Sequence, residues 1–151
     1  MASNIFQSLD YSSIIQRIDS LQPDNPKRWG KMDIIQMLEH CAIQLRLALG
    51  IIPQTNTEGN ALMRTKFGRW VSLYALPWSK GLPTPQKMNM VANNISVDDF
   101  QAKKEALLDL LGMVIGKQDF RPHPFFGKLD KKYWGRLIWK HLDHHLKQFG
   151  A

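Results

Sequence analysis

Hydrophobic residues recur at helical spacing in four long blocks of this chain, and no stretch of useful length alternates apolar and polar as a half-buried strand would. In the first block Ile14, Ile15, Ile18 and Leu21 make a stripe that Pro23 ends. Asp10 is its expected N-cap, with Leu9 and Ile14 as a hydrophobic staple. The second helix is predicted over residues 31–49, with Ile34, Leu38, Cys41, Leu45 and Leu49 inward. Asp33 suits the positive end of its dipole and Gly50 is a natural stop. The third opens on a capping box, Ser96 with Asp99, and a staple, Ile95 with Phe100. It runs through Leu107, Leu108, Leu111, Val114 and Ile115 to Gly116.

The fourth block, YWGRLIWKHLDHHLKQF at 133–149, is the clearest, with Asp130 as its expected N-cap. At about 100° per residue, Trp134, Leu137, Ile138, Leu142 and Phe149 share one side. Arg136, Lys140, Asp143 and Lys147 share the other and are expected to face solvent. Between the second and third helices, Pro53, Pro77, Pro83 and Pro85 with Gly59, Gly68 and Gly81 break the pattern repeatedly. Inside that stretch ALMRTKFGRWVSLYAL predicts one modest helix ending before Pro77, and WSKGLPTPQKM reads as extended. The whole describes an all-α fold: a single domain over residues 1–151, a four-helix bundle with a long crossover connection between helices 2 and 3. A crossover of that length, 51–95, is of the kind that either lids a site or packs beside it.

Composition narrows the partners. A length of 151 residues allows one core that buries roughly 70% of the unfolded surface without staples. No apolar run is long enough to cross a bilayer, and MASNIFQSLD has no basic start followed by an apolar block, so neither a membrane span nor a signal peptide is expected. The one cysteine cannot close an internal disulfide, which fits a cytoplasmic protein. The net charge of +7 invites nucleic acid, but the basic residues are scattered, with no run longer than two. A solvated surface is the better reading, and nucleic acid is not the expected partner.

The chemistry lies with the histidines. His141 and His145 stand in the middle of the apolar side of the last helix, offset by about 40° and roughly 6 Å along the axis. Two imidazoles on a buried face are costly unless something satisfies their nitrogens, and a metal ion does so well. His144, about 100° from His145, sits near the stripe's edge as a candidate substrate-facing or supporting group. His40 lies on the shoulder of the second helix beside Met37 and Gln44, where a ligand is permitted but not demanded. His123, before Pro124, either fixes its turn or reaches over a metal as a catalytic group. Cys41 reads as a small buried hydrophobe. Trp29, Trp78 and Trp134 read as packing or pocket-lining residues; Trp139, toward the polar side, is a candidate homodimer contact.

The blocks RWGKMDIIQMLEHC at 28–41, PWSKGLPTP at 77–85, HPFFGKL at 123–129 and KHLDHHLKQFG at 140–150 resemble the DinB-like (YfiT-like) superfamily of metal-dependent bundle proteins. The resemblance covers most of the chain, and the last block is its most specific part. It implies a three-histidine metal site, carried residue by residue onto His40, His141 and His145. Three neutral imidazoles leave an open coordination position, as catalytic sites do, and nitrogen-only ligation suits zinc or nickel. Each ligand should donate its second ring N–H, with Gln148 and Gln44 as candidate acceptors. No carboxylate is clearly inward, so a hydrolase would have only His144 and His123 as candidate bases. A transferase using a low-molecular-weight thiol needs less, because a metal lowers the thiol's pKa. The expectation is therefore a divalent-metal-dependent enzyme acting on a small molecule, thiol S-transferase-like or hydrolase-like. The alternative is a non-enzymatic bundle that binds a metal or a small ligand.

Overall fold

A computed structural model describes residues 1–54, 57–81, 84–92 and 99–151. Among the described residues the fold is helical, without a named strand. Helix α1 spans Ser8–Asp19, α2 Ile34–Leu49, α3 Lys66–Trp70, α4 Phe100–Gly116 and α5 Lys131–Gln148. Helix α2 packs on α4 and α5, and α1 packs on α5 and α4. Between these four long helices Ile14, Ile18, Leu38, Leu45, Leu111 and Leu142 are closed off from solvent.

Cap chemistry fixes where the helices begin. Asp33 caps α2 in a reciprocal box with Gln36, so the helix starts three residues later than the apolar pattern suggests. It ends at Gly50, whose φ of 79° needs no Cβ. Asp130 caps α5 by accepting from the Tyr133 N–H. Asp99 caps α4 through the Ala102 N–H. Asp99 is thus itself the N-cap rather than the third residue of a box opened by Ser96; Ser96, Ile95 (the expected staple partner of Phe100) and Pro83 lie outside the described residues.

Helix α1 corrects the expectation for its start. Its N-cap is Gln7, and Leu9 is exposed, so no staple forms with Ile14. The Asp10 carboxylate instead accepts from the Asn4 N–H, fastening the lead-in. That lead-in crosses α5 at Gly135: the Ile5 N–H donates to the Gly135 carbonyl at 3.1 Å, and a Cβ there would stand 2.1 Å from Asn4 Oδ1. A glycine inside the most regular helix is therefore a close-approach site.

Three surface expectations also fail. Lys140 is buried and donates to the carbonyls of Ser72 and Leu76. Asp143 is largely covered by Arg17, which it meets at 2.8 Å. On α4, Lys104 is buried and its ammonium caps the end of α1 by donating to the carbonyls of Asp19 and Leu21, while Ile115 is exposed. A wheel ranks residues by polarity; a long lysine stem can cross an apolar face to reach orphan carbonyls at another helix's end.

The stretch expected to be one modest helix is three short turns: a 3₁₀ turn over Ala61–Arg64, α3, and a π turn over Val71–Ala75. The π turn leaves carbonyls without helical partners, and α5 supplies donors for them. Arg136 Nε donates to the Leu73 carbonyl at 2.8 Å, and Lys140 Nζ to the Ser72 carbonyl at 2.7 Å. Farther on, Gln86–Met88 forms a 3₁₀ turn inside the segment expected to be extended. The crossover is thus tied down on α5 and, through Arg69 to the Phe126 carbonyl, on the loop before it.

Candidate metal centre

Helix α2 brings in His40, and α5 brings in His141 and His145 one turn apart. All three are buried. Each offers one nitrogen, and the three nitrogens lie within 4.8 Å of one another. His40 Nε2 and His141 Nε2 are 2.8 Å apart.

The proton on each ring follows from its partner. The Met88 carbonyl only accepts, so His40 Nδ1 carries the proton it donates across 2.6 Å. Gln148 donates its Nε2–H to the Trp29 carbonyl at 2.7 Å, which leaves its Oε1 to accept from His145 Nδ1–H at 2.9 Å. Both rings therefore turn an Nε2 lone pair toward the cluster. His141 Nδ1 is buried with no partner. Two of the three rings thus have the outer N–H tied down and a lone pair turned inward, as a transition metal requires of its histidines, so the set fits a divalent ion.

Burial pushes the His40 ring down to about 4, and burial followed by the neighbouring rings holds His141 and His145 well below the ordinary histidine value. All three are neutral at pH 7, the form that binds a metal. The support around Gln148 is tight. Gly30 has φ 88°, and a Cβ on it would lie 2.1 Å from Gln148 Nε2.

The cluster opens on a cavity of about 1070 Å³ whose walls include Trp29, Met63, Trp78, Phe125 and Phe126. The family described as protein of unknown function, DUF1569, matches residues 4–151. The chain belongs to the DUF1569 family. No curated protein and no solved structure matches it. Among the described residues of this DUF1569 chain, no helix is long and apolar enough to cross a membrane.

The other expected residues of the DUF1569 site fall into place unevenly. His144 is half-buried in the cavity wall, edge-on to Trp29 at 5.8 Å and to Trp78 at 6.1 Å, and burial lowers its pKa. His123 also touches the cavity, but its Nδ1 accepts the N–H groups of Phe125 and Phe126 at 3.1 and 3.4 Å. Burial pushes that ring down to about 3. With its basic nitrogen engaged, His123 fixes its own turn and is poorly placed as a general base. Gln44 does not take the His40 proton; its amide oxygen is buried without a partner. Cys41 is buried and its thiol is pushed up by desolvation, as expected of a small hydrophobe. Trp139 packs on the core beneath the Arg136 guanidinium.

One participant escaped sequence reasoning, and one was read only as a packing or pocket-lining residue. The Met88 carbonyl is a backbone group, and nothing in a side-chain pattern marks it. Trp78 packs edge-on to His141 at 6.0 Å, with its Nε1–H on the Ser72 carbonyl that also accepts from Lys140. Its position inside PWSKGLPTP was the available signal.

Proposed function

We propose that this chain is a metal-dependent enzyme of the DinB-like superfamily, a four-helix bundle whose His40, His141 and His145 hold one divalent transition-metal ion, zinc or nickel. The observation that carries the reading is the outward commitment of the His40 and His145 protons, which turns lone pairs from two separate helices onto one point beside a large cavity. Bound there, such an ion would supply a Lewis acid with a position left for a ligand, lowering the pKa of a thiol or of water.

The chain's own groups favour thiol transfer over hydrolysis. A hydrolase wants a free base near the attacking water. Of the carboxylates, Glu58 lines the cavity, but both its oxygens lie within hydrogen-bonding reach of the Gln86 N–H, at 2.9 and 3.2 Å. His123 has its basic nitrogen engaged. Among the described residues His144 is the one imidazole of the wall outside the three-histidine set with no hydrogen bond to its ring, and its role is to orient a substrate beside the rings of Trp29 and Trp78. A thiol nucleophile needs no further base. The same shortage of bases fits a second reading, a bundle that binds metal and ligand without turnover.

Metal analysis of untagged protein tests the centre, with about one ion per chain expected. Addition of a soluble thiol to an electrophile, followed with and without chelator, tests the chemistry. Metal-dependent acceleration supports transfer. Bound metal with no acceleration selects the binding reading, and protein that neither carries nor takes up metal overturns both.

A further inference from the structure

The cavity has a chemistry of its own beyond the three imidazoles. Trp29 and Trp78 each pack edge-on with His144, at 5.8 and 6.1 Å, and all three rings line the cavity. Met32, Met63 and Met88 line other parts, adaptable apolar surface for a body of irregular outline.

Cations outnumber carboxylates among the described lining residues. Lys31 and Lys80 are exposed and line the opening, with Lys80 Nζ held 4.8 Å from the centre of the Trp29 ring. The one lining carboxylate, Glu58, is already engaged by the Gln86 N–H.

We propose that this cavity takes an amphipathic organic anion: a flat apolar body against Trp29, His144 and Trp78 and an anionic group on Lys31 and Lys80. This names the substrate class of the site read above and rests on that reading for its catalytic meaning. A cleft for one drug-sized molecule measures about 300–1,000 Å³. The volume here, about 1070 Å³, accommodates such an anion with room for a small thiol beside it.

The test separates ligand class from metal. Chelator-treated protein is titrated with 8-anilinonaphthalene-1-sulfonate and with N-phenyl-1-naphthylamine, which share a body and an N–H but differ in the sulfonate. Saturable binding of about one sulfonate probe per chain is expected, roughly tenfold tighter than the neutral probe. Lys31→Gln with Lys80→Gln should erase that preference and leave the neutral probe unchanged. Trp78→Ala should weaken both probes about tenfold or more. Phe67→Ser, on an exposed apolar residue outside the cavity, should weaken neither. Equal affinity for the two probes overturns the proposal, as does a preference that survives loss of both lysines or binding that follows Phe67. Zinc titration of the same chelated protein scores the metal centre independently, so one can fail while the other stands.

Discussion

Two buried histidine environments lie side by side in this molecule and behave oppositely. His123 is fully enclosed against Trp134 and Phe126, and its lone pair is satisfied within its own loop by two backbone N–H groups. His40 and His145 are as well buried, but their protons are donated outward to Met88 and Gln148, and their lone pairs meet with no protein donor between them except the His141 ring. Burial alone does not distinguish the two cases, since it depresses all of these rings. What distinguishes a histidine that holds a loop from one that can hold an ion is which nitrogen has been provided for. The comparison gives a general test for buried histidines: ask where the proton went before asking what is nearby.

The sharpest way to break the comparison is to truncate each kind of ring. His141→Ala or His145→Ala should abolish zinc binding measured by calorimetry, a loss of about a thousandfold or more. His123→Phe should leave zinc affinity within about threefold of the parent. If His123→Phe removed metal binding as His141→Ala does, the two environments would be one. Next comes the partner of a single ring. Gln148→Leu leaves His145 Nδ1–H without its acceptor and frees the Trp29 carbonyl, so zinc affinity should fall about 10–100-fold. An unchanged affinity would mean that the outward hydrogen bond does not tune the ligand.

How much of this was legible follows the same division. The His141–His145 pair was readable because an apolar stripe at helical spacing carries its two imidazoles with it, and helix periodicity survives tertiary context. The cap at Asp130 was readable for a similar reason, being a side chain that serves backbone three residues on, whereas Asp33 was read only as suiting the helix dipole. His40 was not decided by the wheel, because its partners are Met88 and His141, separated from it by 48 and 101 residues. The burial of Lys140 was missed because the carbonyls it serves exist only once the π turn at Val71–Ala75 has formed. That turn in turn depends on cations from α5, so local pattern could not show either half alone. Trp29 and Trp78 of the cavity wall were read as packing or pocket-lining residues, whereas the short turns that carry Met63 and Met88 have no periodic pattern to show them.

A smaller effect sharpens the loop side of the comparison. In His123→Phe the N–H groups of Phe125 and Phe126 lose their acceptor inside an apolar pocket, which should cost about 1–3 kcal/mol of stability. Urea unfolding of chelated protein at pH 7 measures it. A stability equal to the parent's would show that the turn holds without the ring, and the loop-fixing role assigned to His123 would fall.

The finest discrimination comes from pH. The folded His123 ring takes a proton only near pH 3, whereas an unfolded histidine does so near 6.5. Between those values the unfolded chain binds a proton that the folded chain refuses, so stability falls as the pH falls, by about 1.4 kcal/mol per pH unit from this one ring. His40, with its value near 4, adds a term of the same sign, as do His141 and His145. Replacing His123 by Phe removes only its own share. Chelated His123→Phe should therefore show a shallower dependence than the parent between pH 6.5 and 5, by about 1.4 kcal/mol per unit at the lower end. Parallel curves would mean that the parent's ring is already protonated in the folded loop, with Nδ1 no longer able to accept from Phe125. In that event the loop histidine would resemble neither environment described above, and the rule drawn from the pair would lose one of its two cases.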